Sequence, residues 1–208
     1  MSHDHAHDHD HGEAERDPNS DHDLEDRTRA IQSLLVEKGL LTTDAVDEII
    51  TSYEEDVGPM NGARVVARAW TDPEFKSWLM EDATEAVTRS FDFQIGDQYL
   101  EFVENAPNRH NVVVCTLCSC YPWSLLGLPP TWYKSPAYRS RMPREPRAVL
   151  SEFGLELDDD VEITVWDSNS ELRYAVLPQR PEGTDDATEA ELAELVTRDA
   201  MVGVERLR

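Results

Sequence analysis

The sequence predicts an α+β fold, in which an N-terminal helical arm precedes a globular domain with layers in the order α-β-β-α. Apolar residues recur at helical spacing over the first part of the chain and again near its C-terminus. The central part instead carries short apolar, β-branched runs that are typical of strands. With 39% hydrophobic and 8% aromatic residues, the 208-residue chain can bury a substantial core.

We expect three segments along the chain. Residues 1–26 alternate His with acidic residues, have few apolar side chains and should form a disordered tail. This tail could collect borderline divalent metal ions through its imidazoles, or it could serve only for solubility or as an expression tag. Residues 27–60 should form the helical arm, whose apolar stripes need a surface to cover them, and residues 61–208 should form the globular domain.

The predicted helices of the N-terminal half cover residues 24–40, 43–56 and 61–70. The segment Thr71–Glu74 combines a capping side chain with a proline in the first turn, which indicates the start of a further helix. That helix is predicted to continue to about Ser90.

Strands are predicted over Tyr99–Val103 and over the apolar run that ends at Val114. Residues 135–153 are predicted to be mostly helical, with interruptions at two prolines. Residues 160–177 should form a β-hairpin, and the capping-box pattern at Thr188–Glu191 predicts the start of the last long helix.

All three cysteines lie in the hexapeptide Cys115–Cys120, directly after the apolar strand. An odd number of cysteines argues against a disulfide framework. A structural zinc site usually needs four protein ligands, so His110 or a more distant residue would have to supply the fourth. Thiolates on one short loop favour a soft or borderline transition metal. The spacing alone therefore predicts a metal loop and leaves open whether it is catalytic or structural.

Ser119 lies between two of the cysteines, so the peptide nitrogens of Ser119 and Cys120 should point toward the same centre as the sulfurs. If both amides lose their protons, the loop supplies three sulfurs and two nitrogens in a square pyramid. One position then stays open for water or substrate, as a catalytic metal site requires.

The run Val112–Trp123, followed by Leu126–Pro130 and Trp132–Lys134, closely resembles the α subunit of nitrile hydratase. The resemblance extends over about residues 27–204. It implies a hydro-lyase that works as a hetero-oligomer and hydrates nitriles to amides.

The resemblance also implies the chemistry of the metal loop. Cys115 would be the axial thiolate, Cys118 would be oxidised to sulfinic acid and Cys120 to sulfenic acid, with the amide nitrogens of Ser119 and Cys120 as the remaining ligands. In this family a threonine after the first cysteine marks the cobalt branch and a serine marks the iron branch. Thr116 therefore implies non-corrin Co(III) rather than iron.

Further site residues follow only from the resemblance. Cys120 would act as nucleophile or base through its sulfenate, Gln94 would line the active site, and Trp123 would line the substrate pocket. Asp167 and Glu171 would contact two arginines of the nitrile hydratase β subunit, on which the helical arm would also pack. A metallochaperone or activator protein is a further implied partner.

Composition narrows the classes of partner. The net charge of −24 and the pI near 4.4 argue against nucleic acid and anionic membrane surfaces, both of which need basic patches. No apolar run approaches the ~18 residues of a membrane span, and the N-terminus has no apolar signal region. Clustered cysteines without a disulfide pattern favour a reducing compartment, so we expect a cytoplasmic protein.

Two alternatives remain open at this stage. The γ subunit of thiocyanate hydrolase shares the metal loop and often a His- and Asp-rich N-terminus, but tends to lack a tryptophan at position 123. A non-catalytic zinc-binding module would hold the same cysteines without oxidising them. The arginines at positions 139, 141, 144 and 147 could anchor an anionic metal loop or a partner, or could form a solvated basic face.

Overall fold

The computed structural model describes residues 21–47, 58–92, 95–96 and 98–207. Its chain forms two compact units, residues 1–49 and 50–208. Within the described residues, no helix is long and apolar enough to cross a membrane.

The first unit contains helix α1 (Asp21–Glu37) and a short helical stretch over residues 43–47. Helix α1 begins at Asp21, three residues before the predicted helix at residue 24 and within the segment 1–26 that was predicted as a tail. The predicted second helix starts as expected, but residues 48–56 lie outside the described residues, as does the tail over residues 1–20. Apolar side chains on α1 are about half exposed, with values of 47% at Leu24, 59% at Ile31 and 52% at Leu34.

Helices α2 (Pro59–Thr71), α3 (Pro73–Glu81) and α4 (Ala83–Ser90) open the second unit. The single helix predicted to run to Ser90 is interrupted at Asp82, whose extended backbone ends α3. The Asp82 carboxylate accepts a hydrogen bond from the Glu85 N–H and so caps α4. Asp72 caps α3 in the same way, as the sequence predicted.

Within the part of the chain that the structure describes, four strands form two separate parallel pairs. Strand β1 (Tyr99–Glu104) pairs with β4 (Leu172–Leu177), and β2 (Arg109–Val114) pairs with β3 (Glu162–Asp167). The hairpin predicted over residues 160–177 is therefore wrong, because its two strands belong to different sheets. Parallel partners need a long crossover connection, and the segment from β2 to β3 supplies one.

The crossover carries four short helices, α5 (Trp123–Leu126), α6 (Thr131–Lys134), α7 (Pro136–Arg141) and α8 (Pro146–Glu152). The prediction of a mostly helical, proline-interrupted segment over residues 135–153 is thus confirmed.

The chain ends with helices α9 (Glu189–Leu195) and α10 (Arg198–Val202). Helix α9 begins with the predicted capping box, in which Thr188 and Glu191 satisfy each other's backbone N–H groups.

The second unit is layered as predicted for an α+β fold. Strands β2 and β4 contact each other, so the two sheets pack together. Helices α3 and α4 lie on β1, and α8 lies on β3, which gives the order α-β-β-α. Helix α2 contributes Ala63, Val65 and Val66 to the core with no exposed surface.

Candidate metal centre

Strand β2 delivers the cysteine loop from the centre of the core. Val112 and Val114 on this strand are fully buried, and Cys115, the residue that follows it, is also fully buried. The loop then emerges to the surface, where Leu117 is 84% exposed and Cys118 is exposed. The first sulfur is therefore held by the core, while the other two face outward.

The three cysteine side chains converge on one point. The Sγ atoms of Cys115 and Cys118 are 3.3 Å apart, and those of Cys118 and Cys120 are 2.8 Å apart. All three Sγ atoms lie within 4.8 Å of one another, and this is the only such group of potential metal ligands among the described residues. All three cysteines are free, so the sulfurs are available as thiolate ligands.

The loop favours ionisation at Cys118. Hydrogen bonds from the thiols of Cys120 and then Cys115 lower the pKa of the Cys118 thiol to about 7, and the backbone N–H groups of Ser119 and Cys120 act in the same direction. Burial raises the pKa of the Cys120 thiol to about 12, and its hydrogen bond to Cys118 adds to this, whereas the positive charge of Arg173 opposes the rise. The backbone N–H groups of Ser119 and Cys120, which the resemblance implies as metal ligands, thus both act on the Cys118 thiol.

Asp167 fixes the start of the loop from the neighbouring strand. It is the last residue of β3 and pairs in register with Val114. Its carboxylate accepts two hydrogen bonds from Thr116, one from the N–H at 2.9 Å and one from the side-chain hydroxyl at 2.6 Å. Because the ends of parallel strands meet at one sheet edge, Asp167 is placed against the loop by strand pairing alone.

Arg139 on α7 holds the same part of the loop from the other side. Its Nε donates to the carbonyl oxygen of Cys115 at 3.1 Å, and its Nη2 donates to that of Thr116 at 3.0 Å. Of the two roles predicted for the arginine cluster, loop anchoring thus holds for Arg139. Arg141 instead forms ion pairs with glutamates at exposed positions, and Arg147 donates to three backbone carbonyls near β3.

Two buried tyrosines donate hydrogen bonds to the backbone of the loop and of the strand that precedes it. The hydroxyl of Tyr133 donates to the carbonyl oxygen of Cys120 at 2.8 Å, and that of Tyr138 donates to the carbonyl oxygen of Val113 at 2.6 Å. Burial raises the pKa of both phenols, so both remain protonated donors at neutral pH. The loop is thus held along its length by an aspartate, an arginine and a phenol.

A cavity of about 540 Å³ opens over the outward-facing sulfurs. Its described lining residues are Ile95, Gly96, Gln98, Cys118, Ser119, Cys120, Tyr121, Trp123, Ser124 and Arg173. Trp123, predicted to line the pocket, does lie there and is 44% exposed. A pocket of this size can accommodate a small organic molecule.

Arg173 on β4 was not singled out from the sequence. It lines the cavity together with Cys118 and Cys120, and its Nε and Nη1 atoms are buried without a hydrogen-bond partner among the described residues. An isolated arginine in a strand gives no sign from sequence that its side chain meets a loop from another sheet.

The remaining predicted residues have different outcomes. Gln94 lies outside the described residues. Glu171 is exposed just before β4, and its backbone N–H donates to the side chain of Asn169. His110 is not near the cysteines: its Nε2 donates to the carbonyl oxygen of Gly203 at 2.7 Å, at the far end of β2. Burial lowers the pKa of His110, so the ring is neutral and structural.

The donor set suits a thiophilic transition metal. Three sulfurs within bonding reach of one ion select soft or borderline metals over Mg²⁺ or Ca²⁺. The described residues add no imidazole or carboxylate to this group, so a tetrahedral structural zinc site is not completed by them. The residues present therefore fit a metal bound by sulfur and by the loop's own backbone.

Comparison with known proteins gives one consistent family. The family model described as nitrile hydratase, alpha chain, matches residues 22–205. The chain is 54% identical over 187 residues to the low-molecular weight cobalt-containing nitrile hydratase subunit alpha of Rhodococcus rhodochrous, with 90% of each chain covered. It is 55% identical over 180 residues to the cobalt-containing subunit alpha of Pseudonocardia thermophila, with 86% and 88% covered.

The chain is also similar, at lower identity, to proteins named thiocyanate hydrolase. The chain is 45% identical over 193 residues to the thiocyanate hydrolase subunit gamma of Thiobacillus thioparus, covering 88% of this chain and 79% of that one. Among solved structures, an Fe-type nitrile hydratase from Comamonas testosteroni Ni1 superposes with a TM-score of 0.83 at 42% identity, with 90% and 92% covered. A recombinant thiocyanate hydrolase with partially modified cobalt centres gives a TM-score of 0.76 at 44% identity, with 89% and 90% covered.

Proposed function

The chain belongs to the nitrile hydratase α-chain family, and from this premise we propose that it is the α subunit of a cobalt-dependent nitrile hydratase, which adds water to a nitrile to give the amide. The observation that carries this proposal is the convergence of three cysteine sulfurs within 4.8 Å of one another, beside an open cavity that Cys118 and Cys120 line. Cobalt is favoured over iron because the matched curated relatives at 54–55% identity include cobalt-containing α subunits.

The residues proposed to hold the metal are Cys115, Cys118 and Cys120 through sulfur, with the backbone nitrogens of Ser119 and Cys120. We propose that Cys118 carries a sulfinic and Cys120 a sulfenic group in the mature enzyme. Thiolate character and exposure favour such oxidation, and Cys118, with its lowered pKa and exposed position, has both.

When bound, cobalt(III) would supply a Lewis acid that polarises a nitrile or activates water. The chain's own residues would supply the rest. Cys120, through its sulfenate oxygen, is proposed either as the nucleophile that attacks the nitrile carbon or as the base that takes a proton from the attacking water. Trp123 provides an apolar wall of the cavity for the substrate's hydrocarbon part.

A complete site is proposed to need a β subunit. Asp167 and Glu171 would contact two arginines of that subunit, Gln94 would reach the substrate, and residues 27–60 would pack on the partner as a helical arm. The half-exposed apolar residues of α1 support an arm that needs covering. A metallochaperone or activator is a further proposed partner, and the cytoplasm the proposed compartment.

A second candidate is the γ subunit of a thiocyanate hydrolase, favoured by the 45% identity to that protein. The 54–55% identity to nitrile hydratase α subunits and the presence of Trp123 in the cavity argue for nitriles.

The test is co-expression of the chain with its neighbouring-gene partner in cobalt medium. The purified complex is assayed for amide from nitriles and for carbonyl sulfide from thiocyanate. Amide formation that is lost in Cys120→Ser supports the proposal. Ser119→Ala is the matched control, because it keeps the backbone nitrogen and should keep the cobalt. A complex that forms only carbonyl sulfide contradicts the proposal.

A further inference from the structure

Arg173 carries a charge that the described structure does not balance. Its Nε and Nη1 atoms are buried and lack a hydrogen-bond partner, and no described carboxylate forms an ion pair with it. Arg173 as a whole is half-buried, but leaving two of its buried nitrogens without a partner costs free energy, which an anion at this position would remove. The two unpaired nitrogens therefore indicate that Arg173 binds an anion that is present only in the functional state.

The position of Arg173 on β4 limits what that anion can be. Successive side chains of a strand alternate between its faces. Tyr174 packs on Trp166 with ring centroids 5.0 Å apart, so Arg173 lies on the opposite face, where it lines the cavity. Cys118 and Cys120 line the same cavity.

A metallated loop would concentrate negative charge on that side of the cavity. Three thiolates and two amidates carry five negative charges, which exceed the three positive charges of Co(III). Oxygens on the sulfurs would add acceptors that need charged donors. The nitrogens of Arg173 are donors with no acceptor, and the loop would be an acceptor that needs donors.

We propose that Arg173 is a positioning residue of the metal loop, whose Nε and Nη1 donate to the ligated or oxygenated sulfur of Cys120. The inference rests on the proposed function and adds a counter-charge from this chain to those expected from the partner. Its effect is to hold the orientation of Cys120 and to stabilise its anionic form.

The experiment uses the cobalt-loaded complex of the full chain with its partner and compares Arg173→Met with Arg173→Lys. Arg109→Met is the matched control, because Arg109 is an exposed arginine at the opposite end of β2 from the cysteine loop. Cobalt content, the sulfur-to-cobalt absorption band and the mass of the loop peptide are measured before activity. A wild-type complex without cobalt would refute the proposed function itself, independently of Arg173.

With cobalt in the wild type, Arg173→Met should shift the absorption band or reduce oxidation of Cys120. Its kcat should fall roughly 10- to 100-fold, as expected for loss of a hydrogen bond to a charged group, while KM stays nearly unchanged. Arg173→Lys should restore part of kcat, because it keeps the charge but not the paired donors. It also serves as the informative variant if Arg173→Met does not fold. Arg109→Met should match the wild type.

Three results would overturn the inference. The first is an Arg173→Met complex with the absorption band, loop mass and kcat of the wild type. The second is a defect confined to subunit assembly, with an unchanged band in the assembled fraction. The third is the same spectral change in Asp97→Asn, because Asp97 stands in sequence between the cavity residues Gly96 and Gln98 and would then be the true counter-ion.

Discussion

Asp167 accepts both the backbone N–H and the hydroxyl of Thr116, at 2.9 and 2.6 Å, and so ties the end of β3 to the first turn of the cysteine loop. The family resemblance marks the residue at position 116 as the one that separates the cobalt and iron branches. In this chain the threonine hydroxyl is used to bind a carboxylate of the adjacent strand. The branch residue therefore also has a local structural role in holding the loop.

Replacing Asp167 with alanine should loosen the loop without unfolding the domain. The variant loses two hydrogen bonds to a carboxylate at an exposed site, so the free energy of unfolding should fall by only about 1–2 kcal/mol. Cobalt should dissociate faster from the complex during dialysis against a chelator. Asp160→Ala, an exposed aspartate just before the other end of β3, is the control and should retain cobalt like the wild type. Equal cobalt loss in both variants would argue against a specific role for Asp167.

Arg139→Met should also weaken metal retention, because it removes the donors to the carbonyl oxygens of Cys115 and Thr116. Arg147→Met offers a matched comparison, since Arg147 donates to three carbonyls in a segment away from the cysteines. Both variants should lose thermal stability, measured by the melting temperature. Only Arg139→Met should lose cobalt per folded molecule, and a parallel loss in Arg147→Met would contradict the anchoring role.

Gly203→Ala should be strongly destabilising. A Cβ at this position would lie 2.1 Å from the carbonyl oxygen of Asn111 and 2.9 Å from the Cα of Val112, and the glycine has a φ of +91°. The clash is with the backbone of β2, so relief requires movement of the strand that carries the cysteines. Gly154→Ala is the control, because Gly154 has a φ of +81° but open space around it, and it should cost only about 1–2 kcal/mol. Denaturant unfolding gives the loss in free energy of unfolding for each variant. Equal losses in Gly203→Ala and Gly154→Ala would contradict the steric argument.

His110 should make stability depend on pH. In the neutral ring, Nε2 donates to Gly203 at 2.7 Å and Nδ1 accepts from the Asn105 amide at 3.4 Å. Burial lowers the pKa of the folded histidine, with a smaller contribution from Arg206, so the unfolded chain binds a proton more readily. The stabilisation is therefore present above about pH 6.5 and is lost as the pH falls below it.

The measurement for His110 is the unfolding free energy of the wild type and of His110→Gln between about pH 5 and pH 8. The difference between the two proteins should shrink as the pH falls, because only the wild type pays for protonating the buried ring. A difference that is constant over this range would show that His110 does not titrate on unfolding.

Local patterns predicted the structure well where the decisive contacts are close in sequence. The cysteine loop, the capping box at Thr188 and the cap at Asp72 are each set within a few residues, and the structure confirms all three. The sequence pattern did not predict the helix break at Asp82. The Asp82 side chain binds the backbone N–H of Glu85 and so favours a new helix start, whereas the apolar periodicity continues through this position.

Long-range pairing could not be predicted in the same way. Two alternating runs separated by a short polar turn indicate a hairpin, yet β3 and β4 each pair in parallel with a strand far earlier in the chain. The roles of Asp167, Arg139 and Arg173 depend on this pairing and on the crossover helices. The sequence therefore predicted the metal loop and offered Arg139 as one possible anchor, but it gave no sign that Asp167 binds Thr116 or that Arg173 lines the cavity.

The most direct test of the account is metal analysis and mass spectrometry of the loop peptide from the active complex. We expect cobalt bound to this chain, with two oxygens added to Cys118 and one to Cys120, and loss of activity when the sulfenate is reduced. A fully active enzyme with unmodified cysteines, or with zinc in place of cobalt, would contradict it.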